Sequence, residues 1–503
     1  MWNSRPAGPG HRRAGPNVAS AGPNFASAGP HIGSALIPAL LAVVTASCAL
    51  GPNYKRPVIE APASFRGDPA AQVGQVGQVS ARSLADLKWF DLFRDETLTG
   101  LVNTALQQNF DARIAAERVL QARALFRIAR SDQLPAVDGS AGVTAARASR
   151  AGANRAIPDD VDTDVSYTEV GFSLGWELDV WGRLRRLTES AQAQYLATEE
   201  AQRAIVTTLV GDVTETYLAL RALDLELEIA TRTRDAAQQN LRLTEARLER
   251  GLASGLDVRQ AEQLLYIATS QLAGLGREIA QTENALSLLL GQAPGDIPRG
   301  APLEAFQAPP SVPPGLPSSL LERRPDIRQA EQQLIAANAQ IGAAKAEYFP
   351  RISLTGFLGS QSRALSNLLT SPAATWTAGL GAVAPVFNAG RTRANVQFTE
   401  AVQREAVVNY QRTIYTAFRE VSDSLAGYRK TAEQREQQER LVQALGAAAR
   451  LSTQRYEGGL DSYLPVLDAQ RNLFQGELDL ARLRQQELAS IVRLYRALGG
   501  GWS

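Results

Sequence analysis

The chain has 503 residues, a formal net charge of +1, 45% hydrophobic residues and only 6% aromatic ones. Near-neutrality leaves no basic field of the kind nucleic acid requires. Both histidines, His11 and His31, precede the single cysteine, Cys48. A chain cut at Cys48 therefore has no histidine for a triad or a metal site. No glycine-rich phosphate loop or nucleophile elbow stands out either, so no enzyme activity, cofactor or metal is expected.

Residues 1–47 read as an address. AGPNVAS, AGPNFAS and AGPHIGS follow in tandem from Ala14, a Gly/Pro/Ser composition that cannot build a core. Arg5, Arg12 and Arg13 precede the apolar run ALIPALLAVVTA, which ends at Ala46. A basic region, a short apolar region and small residues form a secretory signal, and the run is too short to span a membrane. Thr45-Ala46-Ser47 before Cys48 resembles a bacterial lipobox, although Thr45 departs from the usual aliphatic residue; an ordinary signal followed by an unmodified cysteine is the alternative. Lipid at Cys48 would tether the mature chain to a membrane. Residues 48–97, opening ALGPNYKRPVIEAP, read as an extended strap because of their prolines.

The first repeat covers residues 98–291. Apolar residues at Leu101, Ala105, Ile114, Val119, Ala122, Leu125 and Ile128 predict one helix from about Leu98 to Leu134, stopped by Pro135. The period then becomes two, predicting strands at about 136–147 and 165–181. In the second, Val170, Phe172, Leu174, Trp176, Leu178 and Val180 share one face, while Glu169, Gly171, Ser173, Gly175, Glu177 and Asp179 share the other. A half-buried soluble sheet alternates this way too, but an aliphatic and aromatic face opposite glycines, serine and acids suits a membrane barrel with a wet lumen. From Arg183 to Arg250 there is no proline, and a helix of that length spans about 100 Å. Its apolar spacing fits a coiled-coil-like bundle. After a tip at 250–257, a return helix runs from Asp257 to about Leu290.

Residues 292–318 hold eight prolines and form the connector. Residues 319–503 repeat what came before. Asp326 matches Asp111 and Pro350 matches Pro135 at an offset of 215; RLERGLASGLDVRQAE at 247–262 matches RYEGGLDSYLPVLDAQ at 455–470 at an offset of 208. Strands are expected at about 351–361 and 373–387, and a second tip at 457–463. A glycine that closes one helix just before another opens marks a helix–turn–helix tip. The duplication makes the fold mainly α with a small β part, two intertwined repeats rather than two domains. Four strands per chain cannot close a barrel, and open edges are not viable in lipid, so the strands call for other copies of the chain.

The order strap, helix, two strands, long helix, turn and helix, taken twice, with GPNYKRP, LDVWGRLRR, RYEGGLDSYLPVLDAQ and the ending YRALGGGW, resembles the outer-membrane efflux proteins. The likeness covers essentially everything after Cys48. It is nearest to the lipoprotein branch that includes OprM and the NodT-like proteins, with TolC more distant. The resemblance implies a homotrimer whose twelve strands form one transmembrane barrel, continued by an α-helical tunnel. It also implies a periplasmic adaptor and an inner-membrane RND transporter as partners, and a passive duct for small molecules. A pore-less periplasmic coiled-coil lipoprotein and a protein-secretion duct are the alternatives.

Within that resemblance both tips lie at the periplasmic mouth. Asp257 and Tyr456 occupy positions that pair in the family, Leu464 matches an apolar constriction residue, and Asp468 matches a constriction aspartate. Pro465 and Asp461 depart from the family, Asp461 standing where a closing arginine is usual. Helix capping also accounts for Asp257, tip packing for Tyr456, and a solvated face for Asp468. Arg247, Gly251, Leu252, Arg455, Gly459 and Leu460 form the expected adaptor-docking edge, although the glycines also serve as structural caps.

Overall fold

A computed structural model describes residues 49–62, 64–66, 84, 93–149, 162–306 and 317–500. Cys48, the segment before it, most of the first hairpin loop and the middle of the proline-rich connector lie outside the described residues.

The two repeats correspond element by element. In the first, helices α1 (Glu96–Gln108) and α2 (Phe110–Ser131) lead to strands β1 (Ala136–Arg147) and β2 (Asp164–Leu178), then to α3 (Arg183–Glu249) and α4 (Gly255–Leu289). In the second, α5 (Leu320–Arg323) and α6 (Pro325–Ala346) lead to β3 (Arg351–Ser362) and β4 (Ala374–Val383), then to α7 (Arg391–Glu457) and α8 (Leu464–Ala497). Helices α2 and α6 have 22 residues each, and α3 and α7 have 67 each. From α2 to α6 and from β1 to β3 the shift is 215 (325 − 110 and 351 − 136), whereas from α3 to α7 it is 208 (391 − 183). The ladder partners Gly175 and Val383 of Ala136 and Arg351 already differ by 208, so the seven-residue difference falls in the hairpin between the two strands of each repeat, where a loop absorbs it.

The single helix expected over 98–134 is two. Asn109 leaves the helical region (φ −56°, ψ 134°), and its side chain accepts from the Ala112 amide as the N-cap of α2. Its amide nitrogen also donates to the Leu289 carbonyl at 2.8 Å, satisfying the end of α4. The second strand stops at Leu178, so Val180 lies beyond it, and β4 stops at Val383.

The strands form one antiparallel meander, β1-β2-β3-β4. Phe172 stands opposite Leu358, and Trp176 opposite Leu354. Because faces alternate with period two, this register puts Val170, Phe172, Leu174, Leu354, Leu358 and Leu380 on one face. Glu169, Ser173, Ser353, Thr355 and Gln361 share the other. Among the described residues, β1 and β4 each have a single partner. No helix among the described residues is long and apolar enough to cross a membrane.

The strap is fastened where β2 gives way to α3. The Leu50 amide donates to Trp181 O at 3.1 Å; Arg186 donates to Leu50 O and to the Asn53 side chain. Asn338 donates to Pro52 O, and Tyr54 and Arg56 both donate to Glu331. Contact is so close that a Cβ on Gly342 would lie 2.5 Å from the Leu50 carbonyl oxygen. The paired hairpins α3/α4 and α7/α8 then run away from the sheet. Their apolar residues fall into three successive clusters. The largest, around Val213, Tyr217, Ile327, Ile414 and Leu494, sits nearest the sheet; one around Ile229, Leu275 and Phe474 follows; the last lies at the tip.

Gly342→Val should therefore lift the strap at a cost of about 1–3 kcal/mol, the usual range for overpacking. Limited proteolysis should cut residues 49–62 faster than in wild type, and equal cutting rates would refute the close-packed strap.

Candidate functional site at the hairpin tips

Both outgoing helices end in the same device. Gly251 and Gly459 have φ of 72° and 73°, the left-handed region that only glycine enters freely. The Leu252 amide reaches back to the Arg247 carbonyl at 2.7 Å, and the Leu460 amide to the Arg455 carbonyl at 3.0 Å. Gly251 and Gly459 donate to Leu248 and Tyr456. This is the Schellman pattern, and it throws Leu252 and Leu460 outward, 67% and 69% exposed. The sequence-predicted glycines are thus structural caps, and the caps themselves present the two leucines.

The arginines diverge. Arg247 crosses to the other hairpin, where its guanidinium lies 4.7 Å over the Tyr456 ring and donates to the Glu457 carbonyl at 3.3 Å. Such stacking on an aromatic face is favourable for arginine. Arg455 instead grips Asp461 through two hydrogen bonds, of 2.5 and 3.3 Å. That pairing holds the Asp461 carboxyl below its ordinary range. Asp461 is therefore tied within its own tip.

Asp257 and Tyr456 do not pair in this chain. Ser254 is the N-cap of α4 and accepts from the Asp257 amide, while the Asp257 carboxylate accepts from the Ser254 amide at 2.8 Å and from its hydroxyl. Both bonds close a capping box, so the carboxylate faces its own backbone. Ser254-x-x-Asp257 is legible as that box in the sequence, which the expectation of a helix starting at Asp257 missed.

Tyr456 is buried in the tip cluster with Leu241, Leu264, Val466 and Leu467. A second tyrosine, Tyr463, meets it edge-on, ring centroids 5.2 Å apart. Neither hydroxyl has a hydrogen-bond partner among the described residues. Burial, with Tyr456 alongside, pushes the Tyr463 hydroxyl up to about 12. Sequence reasoning passed over Tyr463 because a tyrosine in a polar turn carries no periodicity that predicts burial.

Leu464 opens α8 and is 55% exposed. Asp468, one turn further, is also exposed; Arg471 donates to it at 3.1 Å and Asn472 at 3.3 Å. The i,i+3 spacing of Asp468 and Arg471 puts both charges on one helix face, so the candidate constriction carries both signs. Among the described residues no group of three or more His, Cys, Asp or Glu is placed to hold a metal ion.

A buried hydroxyl without a partner costs free energy, so its removal is neutral or stabilising. Tyr463→Phe should leave the thermal midpoint unchanged or raise it; a clear drop would mean that the hydroxyl finds a partner in the assembled protein.

The pattern of the family described as Outer membrane efflux protein matches residues 101–292 and 316–500. The solvent efflux pump outer membrane protein SrpC of Pseudomonas putida is 42% identical over 475 residues, covering 93% of this chain and 98% of that protein. Among solved structures, a membrane protein from Pseudomonas aeruginosa shares 34% identity at a TM-score of 0.82, covering 90% of this chain and all of the other. The open state of the Neisseria gonorrhoeae MtrE outer membrane channel shares 29% at 0.81, covering 91% of this chain and 99% of that one. The chain belongs to the outer-membrane efflux protein family.

Proposed function

We propose that this chain is the exit duct of a tripartite efflux pump of the lipoprotein branch. Three copies close one twelve-stranded barrel around a wet lumen, with the helical hairpins extending it as a periplasmic tunnel. One observation carries the reading: a four-stranded meander with one apolar and one polar face, unpaired on both outer strands, joined to helices that span about 100 Å. An apolar outer face suits lipid and a polar inner face suits water.

The duct is passive and generic. Drugs, toxic compounds or metal ions enter from an RND transporter through a periplasmic adaptor, and the transporter sets the selection. Relatives named for solvent, toluene and cation efflux support a duct indifferent to its cargo. Cys48 carries lipid: Ala49, the residue after it, lies against Gly182 at the foot of β2, with its Cα 2.6 Å from where a Gly182 Cβ would stand. Leu464 and Asp468 line the closed mouth, with Asp257 and Tyr456 shaping the tip behind them. Leu252 and Leu460 are the apolar contacts for the adaptor, set by Gly251 and Gly459 and flanked by Arg247 and Arg455.

Single-channel recording of the purified, lipidated protein in a planar bilayer tests the duct. Wild type should show small, cation-preferring currents. Asp468→Asn should lose that preference, because it leaves Arg471 as the dominant charge on that face. No current from folded oligomers would put the pore-less lipoprotein ahead. Separately, Leu252→Asp combined with Leu460→Asp should abolish export in cells while oligomers persist; normal export would reject the docking role.

A further inference from the structure

The two hairpins are stitched together along α3 and α8. Asp212–Arg496, Glu215–Arg493 and Glu226–Arg482 pair in turn, and Arg232–Glu477 follows at 2.8 Å. From that last pair toward the tip, a slot of about 690 Å³ lies between α3 and α7, floored by α8. Small-molecule sites typically enclose about 300–1,000 Å³. Val442, Gly446, Ala449 and Thr453 share one face of α7 and form the long wall. Leu473 and Phe474 form the apolar floor, with Leu264 of α4 beside them. From Val442 to Gln454 is 12 residues (454 − 442), about 18 Å of helix, so the slot is elongated.

Neither packing nor the duplication calls for this opening. Glycine is unfavourable in a helix interior, yet Gly446 stands there without steric need. A Cβ on it would meet Arg450 Nη1 at 3.7 Å and Leu473 Cδ1 at 3.9 Å, both ordinary contacts. The counterparts of Gly446 and Ala449 on α3, 208 positions earlier, are Gln238 and Leu241, and Leu241 is buried in the tip cluster. The second hairpin thus keeps a notch where the first carries larger side chains. Arg450 supplies the charge of that notch, since its guanidinium folds back over Gly446. Among the described residues it has no hydrogen bond or ion pair. Its neighbours one turn away, Gly446, Ala447, Thr453 and Gln454, include no acid, and the slot's one carboxylate, Glu477, is held by Arg232.

We propose that this slot binds a free amphiphilic organic acid. The carboxylate sits on Arg450, whose planar fork matches it through two parallel hydrogen bonds. The apolar tail lies along Ala449, Leu473 and Phe474 toward Val442, and the Arg232–Glu477 pair closes that end. The acid comes from solution and not from the bilayer. Val442 is 51 residues into α7 (442 − 391), about 75 Å from the end that meets the sheet, out of reach of lipid around the strands. The slot is built from one chain's own helices, so its occupancy does not depend on the channel reading above.

The test uses the full-length protein in lipid nanodiscs, free of detergent, and a dodecanoate carrying a photoactivatable diazirine at its tail. After irradiation, peptide mass spectrometry should place adducts on residues 442–454 and 470–477, and excess unlabelled dodecanoate should remove them. Arg450→Glu should cut this labelling about tenfold or more, the loss of one charge-assisted hydrogen bond, whereas Arg450→Lys should keep most of it. Gly446→Leu, which fills the notch and suits a helix better than glycine, should abolish it at unchanged oligomer mass. The corresponding diazirine alcohol, which lacks the charge, should label the slot weakly. Adducts confined to the strands would overturn the site. So would labelling of the slot that persists in Gly446→Leu. Equal labelling by acid and alcohol, or by wild type and Arg450→Glu, would overturn the role of Arg450 and with it the proposed ligand class.

Discussion

The outer strands of one sheet constrain everything else in this chain. Backbone amides and carbonyls with no partner are costly away from water, and in a bilayer nothing but another strand can satisfy them. β1 and β4 each use one side of their hydrogen-bonding capacity within the chain. The sheet's two faces differ as a lipid face differs from a water-filled one. A chain built this way is stable in a membrane only as part of a closed ring, so strand register, helix seams and the positions of the hairpin tips must all repeat from copy to copy.

That demand explains how closely the halves agree. The long helices are equal in length at 67 residues, and each begins after a glycine in the left-handed region, Gly182 and Gly390. Each ends in the same six-residue carbonyl-capping turn at Gly251 and Gly459, and the return helices end likewise at Gly291 and Gly499. Were one helix longer by a single residue, its tip would rotate by about 100° and rise by about 1.5 Å relative to its copy. Leu252 and Leu460 would then no longer stand as equivalent points around the mouth. Length variation is confined to the strand hairpin, where seven residues have been lost without disturbing either ladder.

Much of this was legible in the sequence, because periodicity and a constant offset survive without knowledge of contacts. The strand alternation from Val170 to Leu178, the long proline-free helix and the two glycine tips read directly. What did not read depends on which partner each side chain meets in the fold. Asn109 looks like one more polar residue on a helix face; only the Leu289 carbonyl, 180 positions away, shows why the helix breaks there. Tyr463 looks like a turn residue until Tyr456 and Val466 enclose it. Asp257 was read through its family role, while the nearer explanation, Ser254 three residues before it, lay in plain view. Asp461 was read as a lost arginine, and its tie to Arg455 required the turn geometry.

The contrast between the two kinds of seam has a physical logic. Inside one chain α3 and α6 are tethered, so their encounter needs no driving force from the seam itself. Buried Glu200, held by Arg203 and Arg328, adds little net stability after desolvation, but it admits only one sliding position of the two helices. Between chains there is no tether, and association must offset lost translational and rotational freedom. Apolar area does that without directional demands; Phe398, Val408 and Tyr415 of α7 are exposed, whereas their copies Ser190, Glu200 and Thr207 are buried. Apolar contact alone would let helices slide, but the sheet removes that freedom: a one-residue shift of β4 would exchange the faces of Leu380 and Thr377. Register inside the chain is thus kept by charge between the helices and by the ladder between the strands.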